Sequence, residues 1–331
     1  MANFSAYRIY NEDGKVQARL VEATLDELDP GEVVIKAAFS SVNYKDALAA
    51  TGAGKIIRRF PCIGGVDGCG SVASSTDPRF KPGDKVICTS YDLGVAHDGG
   101  YAEFLRVPAA WVVALPKGLT LFESMALGTA GFTAALAVER MEREGLAPGK
   151  GPVIVTGASG GVGSIAVDIL AKAGHDVTAL TGKEAETGYL KQLGATQIML
   201  RSALDLSRIK PLDKATWAGA VDNLGGDVLA WLASTMQVGG ALTSIGLAAS
   251  HTLNTTVMPF ILRGVSLLGV DSVNAPMSLR EKVWQRLASD LKPRHLAEMC
   301  NTVTLDELPA VFDRLLKGQA RGRTVVKLGK H

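Results

Sequence analysis

Short β-branched runs separated by Gly and Pro turns fill the first third of the chain. Apolar runs at 32–38, 70–73, 84–89 and 102–107 predict strands, and the opening Met-Ala-Asn-Phe-Ser-Ala-Tyr-Arg-Ile-Tyr predicts an earlier one. Pro82-Gly83 and Gly99-Gly100 punctuate the series. Such a pattern implies a compact, partly barrel-shaped β domain. Past residue 121 the period changes to helix alternating with strand. Residues 122–136, 184–193 and 227–236 read as helices, and 153–155, 176–180, 197–200, 218–221, 241–245 and 266–270 read as strands. That alternation argues for a doubly wound parallel sheet. Two amphipathic helices (278–291 and 305–316) and a strand at 323–328 close the chain. The return to strand suggests that the C-terminus rejoins the first domain, giving boundaries of 1–128 with 273–331 and of 129–272.

Within the alternating part, residues 153–164 read Val-Ile-Val-Thr-Gly-Ala-Ser-Gly-Gly-Val-Gly-Ser. A buried parallel strand runs straight into Gly157, Gly160 and Gly163. An apolar helical pattern follows at Val162, Ile165, Ala166, Ile169 and Leu170, and Gly174 stops it. Strand, glycine turn and helix in that order form a dinucleotide fingerprint. The glycines let the backbone approach a pyrophosphate, and the helix N-terminus favours its charge. Ser159, Gly160, Gly161 and Val162 are therefore predicted cofactor-binding residues. An NAD-specific site places Asp or Glu about 20 residues beyond the glycines, to hold the ribose 2′-hydroxyl. Here the next strand ends in Thr181, Gly182 and Lys183. A carboxylate repels a 2′-phosphate, whereas a hydroxyl and an ammonium attract it. With Arg201 past the following strand, these residues predict NADPH.

Composition narrows the class without adding chemistry. At 331 residues the chain is long enough for two domains, and 21% charged residues with a net charge of +2 give no reason to invoke nucleic acid or a membrane surface. The N-terminus lacks the apolar core of a signal peptide, and no apolar stretch reads as long and uninterrupted enough to span a bilayer. Cys62, Cys69, Cys88 and Cys300 are scattered, as expected of free thiols in a reducing cytoplasm.

Several segments together resemble one family. They are 41–46 (Ser-Val-Asn-Tyr-Lys-Asp), 52–61 (Gly-Ala-Gly-Lys-Ile-Ile-Arg-Arg-Phe-Pro), 128–134 (Gly-Thr-Ala-Gly-Phe-Thr-Ala), the fingerprint, 217–222 (Trp-Ala-Gly-Ala-Val-Asp), 256–263 (Thr-Val-Met-Pro-Phe-Ile-Leu-Arg) and 269–272 (Gly-Val-Asp-Ser). The chain resembles a zinc-free member of the medium-chain dehydrogenase/reductase superfamily, on its quinone-oxidoreductase-like branch. Within that branch it is most similar to acrylyl-CoA reductases, which use NADPH to make propionyl-CoA. The resemblance implies a Rossmann domain joined to a GroES-like β domain, and a homodimer formed by pairing of the 265–270 strand with its copy. Zinc-dependent members need a Cys near Val42 and Asn43 and a Gly-His-Glu where this chain has Gly65, Val66 and Asp67. They also carry a four-Cys lobe, near which only Cys88 lies here, so no metal site is expected. His97 reads as a surface residue more readily than as a ligand or base.

Without a metal to polarise a ketone, conjugate reduction is the easier chemistry, because an α,β-unsaturated thioester already spreads incoming charge. The resemblance places Tyr44 beside the nicotinamide. A phenol with an ordinary pKa of about 10 keeps its proton at neutral pH, so Tyr44 is the candidate catalytic donor. A packing tyrosine, with water delivering the proton, is the competing reading. Asn43 and Asp46 either orient the site or cap a helix beginning there. The resemblance also assigns Thr129, Thr133, Leu247, Ile261 and Ser272 to the cofactor, although Leu247 and Ile261 read as core from the residues alone. Lys55, Arg58 and Arg59 form a basic loop that either meets the phosphates of coenzyme A or is simply solvated. Arg263 and Arg323 are weaker candidates for the same task. The expected activity is reduction of acrylyl-CoA. A quinone or enone reductase, and a NADPH-binding protein with little turnover, are the alternatives.

Overall fold

The computed structural model describes residues 3–329. Up to Thr129 the elements are β1 (Phe4–Glu12), β2 (Lys15–Ala23), β3 (Val33–Val42), α1 (Tyr44–Thr51), β4 (Cys62–Ile63), β5 (Asp67–Ser75), β6 (Lys85–Thr89), β7 (Phe104–Val107) and β8 (Val112–Ala114). Helix α2 (Leu121–Arg143) leads on to β9 (Val153–Thr156), α3 (Gly161–Lys172), β10 (Val177–Thr181), α4 (Thr187–Gln192) and β11 (Gln197–Leu200). Then come β12 (Trp217–Asp222), α5 (Gly226–Thr235), β13 (Met236–Ser244), α6 (Met258–Arg263) and β14 (Ser266–Gly269). The chain closes with α7 (Met277–Leu287), β15 (Cys300–Val303), α8 (Leu308–Leu316) and β16 (Arg323–Lys327).

Two compact units result. The first comprises the chain up to Thr129, Val273–Gln285 and the segment from Leu296 on; the second comprises Ala130–Ser272 and Arg286–His295. Residues 286–295 thus group with the second unit, unlike the boundaries drawn from the sequence. Arg286 binds Glu139 and Glu142, and the buried carboxylate of Asp168 accepts the Arg294 and His295 backbone N–H groups at 3.1 and 2.8 Å.

In the first unit, one sheet runs β15-β16-β3-β5-β6-β8, with β7 also on β3, and a smaller one runs β2-β1-β4. Alternate residues of these strands point inward, and Ile35, Val86, Leu105, Tyr101 and Phe312 share one buried core. Strand β2 escaped the sequence reading, although Asp13-Gly14 is a hairpin signal. Both residues take positive φ (53° and 78°), the requirement of the tight turn that joins β1 to β2.

The second unit's sheet is wholly parallel, in the order β11-β10-β9-β12-β13-β14. Sequence order reverses between β9 and β12, and in such sheets ligands sit beyond the C-terminal strand ends at that reversal. The loop after β9 occupies this place. Ile154, Leu180, Ala220, Leu232 and Leu242 fill the core. Helix α2 differs from expectation in running on to Arg143. It is long and apolar enough to cross a bilayer, yet 78% of that stretch is buried inside the protein, as befits a core helix.

Candidate active site

The fingerprint glycines in the second unit divide the work expected of them. Gly157 makes the tight turn with φ of +56°. A Cβ on Gly163 would lie 2.3 Å from the Gly157 carbonyl oxygen, so only glycine lets α3 pack this close to the turn. A Cβ on Gly160 would lie 3.3 Å from the Gly157 carbonyl oxygen, a tight contact that glycine avoids. Gly160 caps α3, and the first-turn N–H groups of a helix have no intrahelical acceptor. Orphan donors and the positive helix end together fit a pyrophosphate.

Beside this loop, Thr181 ends β10 and pairs in register with Leu200, so Arg201 follows next to Gly182 and Lys183. Thr181 also has a structural part that the sequence did not show. It is 2% exposed, and its Oγ1 accepts the Lys183 N–H at 3.0 Å and lies 3.4 Å from Ser159 Oγ. Its hydroxyl fixes the turn. Lys183 is half-buried, and that burial pulls its ammonium below the ordinary lysine pKa, against a smaller opposing effect of Glu186. An incoming phosphate would relieve this desolvation by supplying a counter-charge. Leu247 lies just past β13 and lines a pocket of about 270 Å³ with Ser244, Ile245 and Leu267. Ser272 follows β14, Thr133 is buried in α2, and Ile261 lies in α6. Leu247 and Ile261 are 62% and 70% exposed, so neither is the core residue that its chemistry suggested.

The first unit holds a buried polar cluster around Asp67, the first residue of β5. Asp67 Oδ2 accepts from Ser41 Oγ at 2.5 Å, Asn43 Nδ2 at 2.8 Å and the Thr129 N–H at 3.0 Å, and its Oδ1 accepts from Thr129 Oγ1 at 2.5 Å. Arg323 from β16 closes the other side. Its guanidinium donates to Ser41 Oγ (2.9 Å), Asn43 Oδ1 (3.3 Å) and the carbonyls of Val42 (3.1 Å) and Ala126 (3.0 Å). Gly128 is obligatory here: at φ of 52° it interrupts α2, and a Cβ would lie 2.6 Å from both Asp67 Oδ2 and Ser41 Oγ. Asn43 caps α1, whose first residue is Tyr44, and the Asp46 carboxylate accepts the Asn43 N–H at 2.8 Å and the Val66 N–H at 3.0 Å. Asp46 caps the helix and ties it to the cluster. Burial, reinforced by the negative Asp67, pushes Asp46 up to about 7. Tyr44 is 44% exposed.

Other candidates are committed elsewhere. Arg323 is buried within the cluster, and Arg263 donates to the carbonyls of Ser234, Met236 and Asp213, so neither is available to a coenzyme phosphate. Arg58 pairs with Asp92 and Arg59 with Asp29, which neutralises most of the basic loop. The Thr129 hydroxyl donates to Asp67 Oδ1. Both ring nitrogens of His97 face carbonyl oxygens, of Asp98 and Pro30, each at 3.1 Å. Among the described residues no three His, Cys, Asp or Glu converge as a metal site. Sequence reasoning did not single out Asp67 and Arg323 as one cluster, because nothing local links them.

Residues 29–117 match the model of the alcohol dehydrogenase GroES-like domain, and residues 161–289 match that of the zinc-binding dehydrogenases. The chain is 48% identical to the putative quinone oxidoreductase YhfP of Bacillus subtilis, over 98% of this chain and 99% of that protein. It is 47% identical to the acrylyl-CoA reductase AcuI of Ruegeria pomeroyi, over 95% and 96% of the two lengths. The crystal structure of the YhdH oxidoreductase from Salmonella enterica in complex with NADP superposes with a TM-score of 0.96 at 46% identity, covering 98% of this chain and 100% of that one. YhfP with NAD bound gives 0.97 at 47% identity, covering 99% and 100%.

Proposed function

Because this chain belongs to the medium-chain dehydrogenase/reductase superfamily, we propose that it is an NADPH-dependent acrylyl-CoA reductase. The observation that carries the reading is its 47% identity with an acrylyl-CoA reductase over nearly the whole of both proteins. The reaction consumes acrylyl-CoA, NADPH and a proton, and yields propionyl-CoA and NADP⁺. Bound NADPH supplies the hydride that adds to the β-carbon of the acyl chain. The C=C electron pair then moves to the thioester as an enolate, and the α-carbon takes the proton.

The residues of this chain bind, orient and protonate. Ser159, Gly160, Gly161 and Val162 hold the pyrophosphate, and Gly182, Lys183 and Arg201 hold the 2′-phosphate at the ends of β10 and β11. Thr181 shapes that turn. Thr133, Leu247, Ile261 and Ser272 complete the cofactor contacts. Tyr44, at the start of α1, contacts the cofactor and donates the proton or a hydrogen bond to the developing enolate.

The relative named as a putative quinone oxidoreductase favours a second reading, quinone or enone reduction. Oxidation of NADPH followed with acrylyl-CoA, crotonyl-CoA and a benzoquinone side by side separates them, with NADH as the control. Fast turnover of acrylyl-CoA with NADPH is expected. Turnover of the quinone alone would reject the acyl-CoA assignment, and none at all would favour a binding protein with little turnover.

A homodimer is part of the same proposal. Among the described residues strand β14 ends its sheet with no strand on its outer side, and Ile261 and Leu262, a few residues before it, are 70% and 58% exposed. An open sheet edge suits pairing with a second copy. Sedimentation equilibrium at micromolar protein should return twice the 34.7 kDa chain mass; a monomer would reject this pairing. Four free thiols, all held above the ordinary cysteine pKa by burial, are in keeping with a cytoplasmic setting.

A further inference from the structure

The polar cluster of the first unit holds two buried carboxylates and one buried cation. Asp46 and Asp67 are 2% and 0% exposed, and Arg323 is 3% exposed. They share one small group: Asn43 Nδ2 donates to Asp67 Oδ2 at 2.8 Å and to Asp46 Oδ2 at 3.3 Å, while Asn43 Oδ1 accepts from Arg323. Asp67 receives four donors and is bridged to Arg323 through both Ser41 and Asn43, an arrangement that suits a carboxylate anion. Among the described residues Asp46 receives N–H donors only from Asn43 and Val66, shares a hydrogen bond with the Tyr101 hydroxyl, and makes no ion pair. With both acids ionised, the cluster would carry an uncompensated negative charge in the interior, which is costly.

We infer that Asp46 is a positioning residue that carries a proton in the working enzyme, and that through Asn43 this proton fixes the start of α1 and with it Tyr44. The functional half of the inference rests on the reading of Tyr44 given above. The charged and titratable groups facing Asp46 are Asp67 from β5, Tyr101 from the segment before β7 and Arg323 from β16. Burial and the two carboxylates hold the Tyr101 phenol well above its ordinary pKa, so it stays neutral, and it donates to the Ser41 carbonyl at 3.3 Å. Burial brings the Asp46 carboxyl to change charge near neutrality. Once ionised it faces Asp67 across a single amide group, and the repulsion loosens Asn43. The proton is exchanged with solvent, and no bond other than O–H is made or broken.

Linkage fixes the sign. The folded-state pKa of Asp46 lies above its unfolded value, so the protonated form's contribution to stability is fully present below the ordinary value of 3.8 and is lost as pH rises from there to about 7. Three readouts follow for the NADPH-loaded enzyme, compared with Asp46→Asn. Wild-type Tm should fall relative to the variant from about pH 4 to about pH 7 and level off above that. The infrared carbonyl band of a protonated carboxyl should titrate away around pH 7 and be absent from the variant. Wild-type kcat for acrylyl-CoA should fall about tenfold from pH 7 to 8.5, with KM for NADPH unchanged and the variant's profile flat. A wild-type band that does not titrate, or an alkaline limb retained in the variant, overturns the inference. Should the variant not fold, the wild-type band and kcat still decide it: titration in step supports the inference, and independent titration overturns it. Should the wild type fail to reduce acrylyl-CoA, the functional reading falls while the Tm and infrared arms still test the proton on Asp46.

Discussion

Tyr44→Phe should lower kcat for acrylyl-CoA by about 100-fold and leave NADPH binding within about twofold, because a positioned general acid contributes about 10²–10⁴ in rate. The substitution removes only the hydroxyl and keeps the ring that packs at the start of α1. Loss of a donor to the enolate acts in the transition state, so kcat and kcat/KM should fall together. The acyl chain of the thioester has no charge to offer in the ground state, so KM should move little. Stopped-flow oxidation of NADPH under single-turnover conditions measures the chemical step directly. A rate within about threefold of wild type would assign the proton to water and leave Tyr44 as a packing residue.

The second large effect concerns the choice of cofactor. Lys183→Glu should raise KM for NADPH about 100-fold while changing KM for NADH less than about threefold. A hydrogen bond to a charged group contributes about 1.5–3 kcal/mol, and reversing the charge adds repulsion to the loss. Lys183 is half-buried and its ammonium is already held below its ordinary pKa, so it gains from the arrival of a phosphate dianion. NADH lacks that phosphate and so serves as the internal control. Equal losses with both cofactors would mean that the substitution damages the shared pyrophosphate site. No loss with either would transfer the 2′-phosphate to Arg201, which stands at the neighbouring strand end.

The parts of the molecule legible in the sequence are those whose physics is local. Gly157, Gly160 and Gly163 lie in one turn, so their spacing alone carried the roles that φ and Cβ clearance later gave them. The strand of 197–200 was read with its observed bounds, because a short apolar run between turns depends on few distant partners. Lys183 was legible as a cation at a strand end. For the adjoining Thr181 the sequence could not show that its hydroxyl also holds its own turn, which depends on Lys183 and Ser159.

What the sequence could not rank were groups whose partners lie far along the chain. Arg58, Arg59, Arg263 and Arg323 look alike as letters, and all four read as candidates for phosphate. Folding gives the first two carboxylates and Arg263 a set of carbonyls. It carries Arg323 to Ser41, 282 positions away. Leu247 and Ile261 look like core by hydrophobicity, and only the path of the chain after β13 and through α6 leaves them at the surface. The sequence by itself determined the doubly wound sheet and the glycine turn, because periodicity and turn chemistry are written in neighbouring residues. The tertiary structure alone decided that Asn43, Asp46, Asp67 and Arg323 form one buried cluster, because desolvation and charge pairing arise only when distant segments exclude water together.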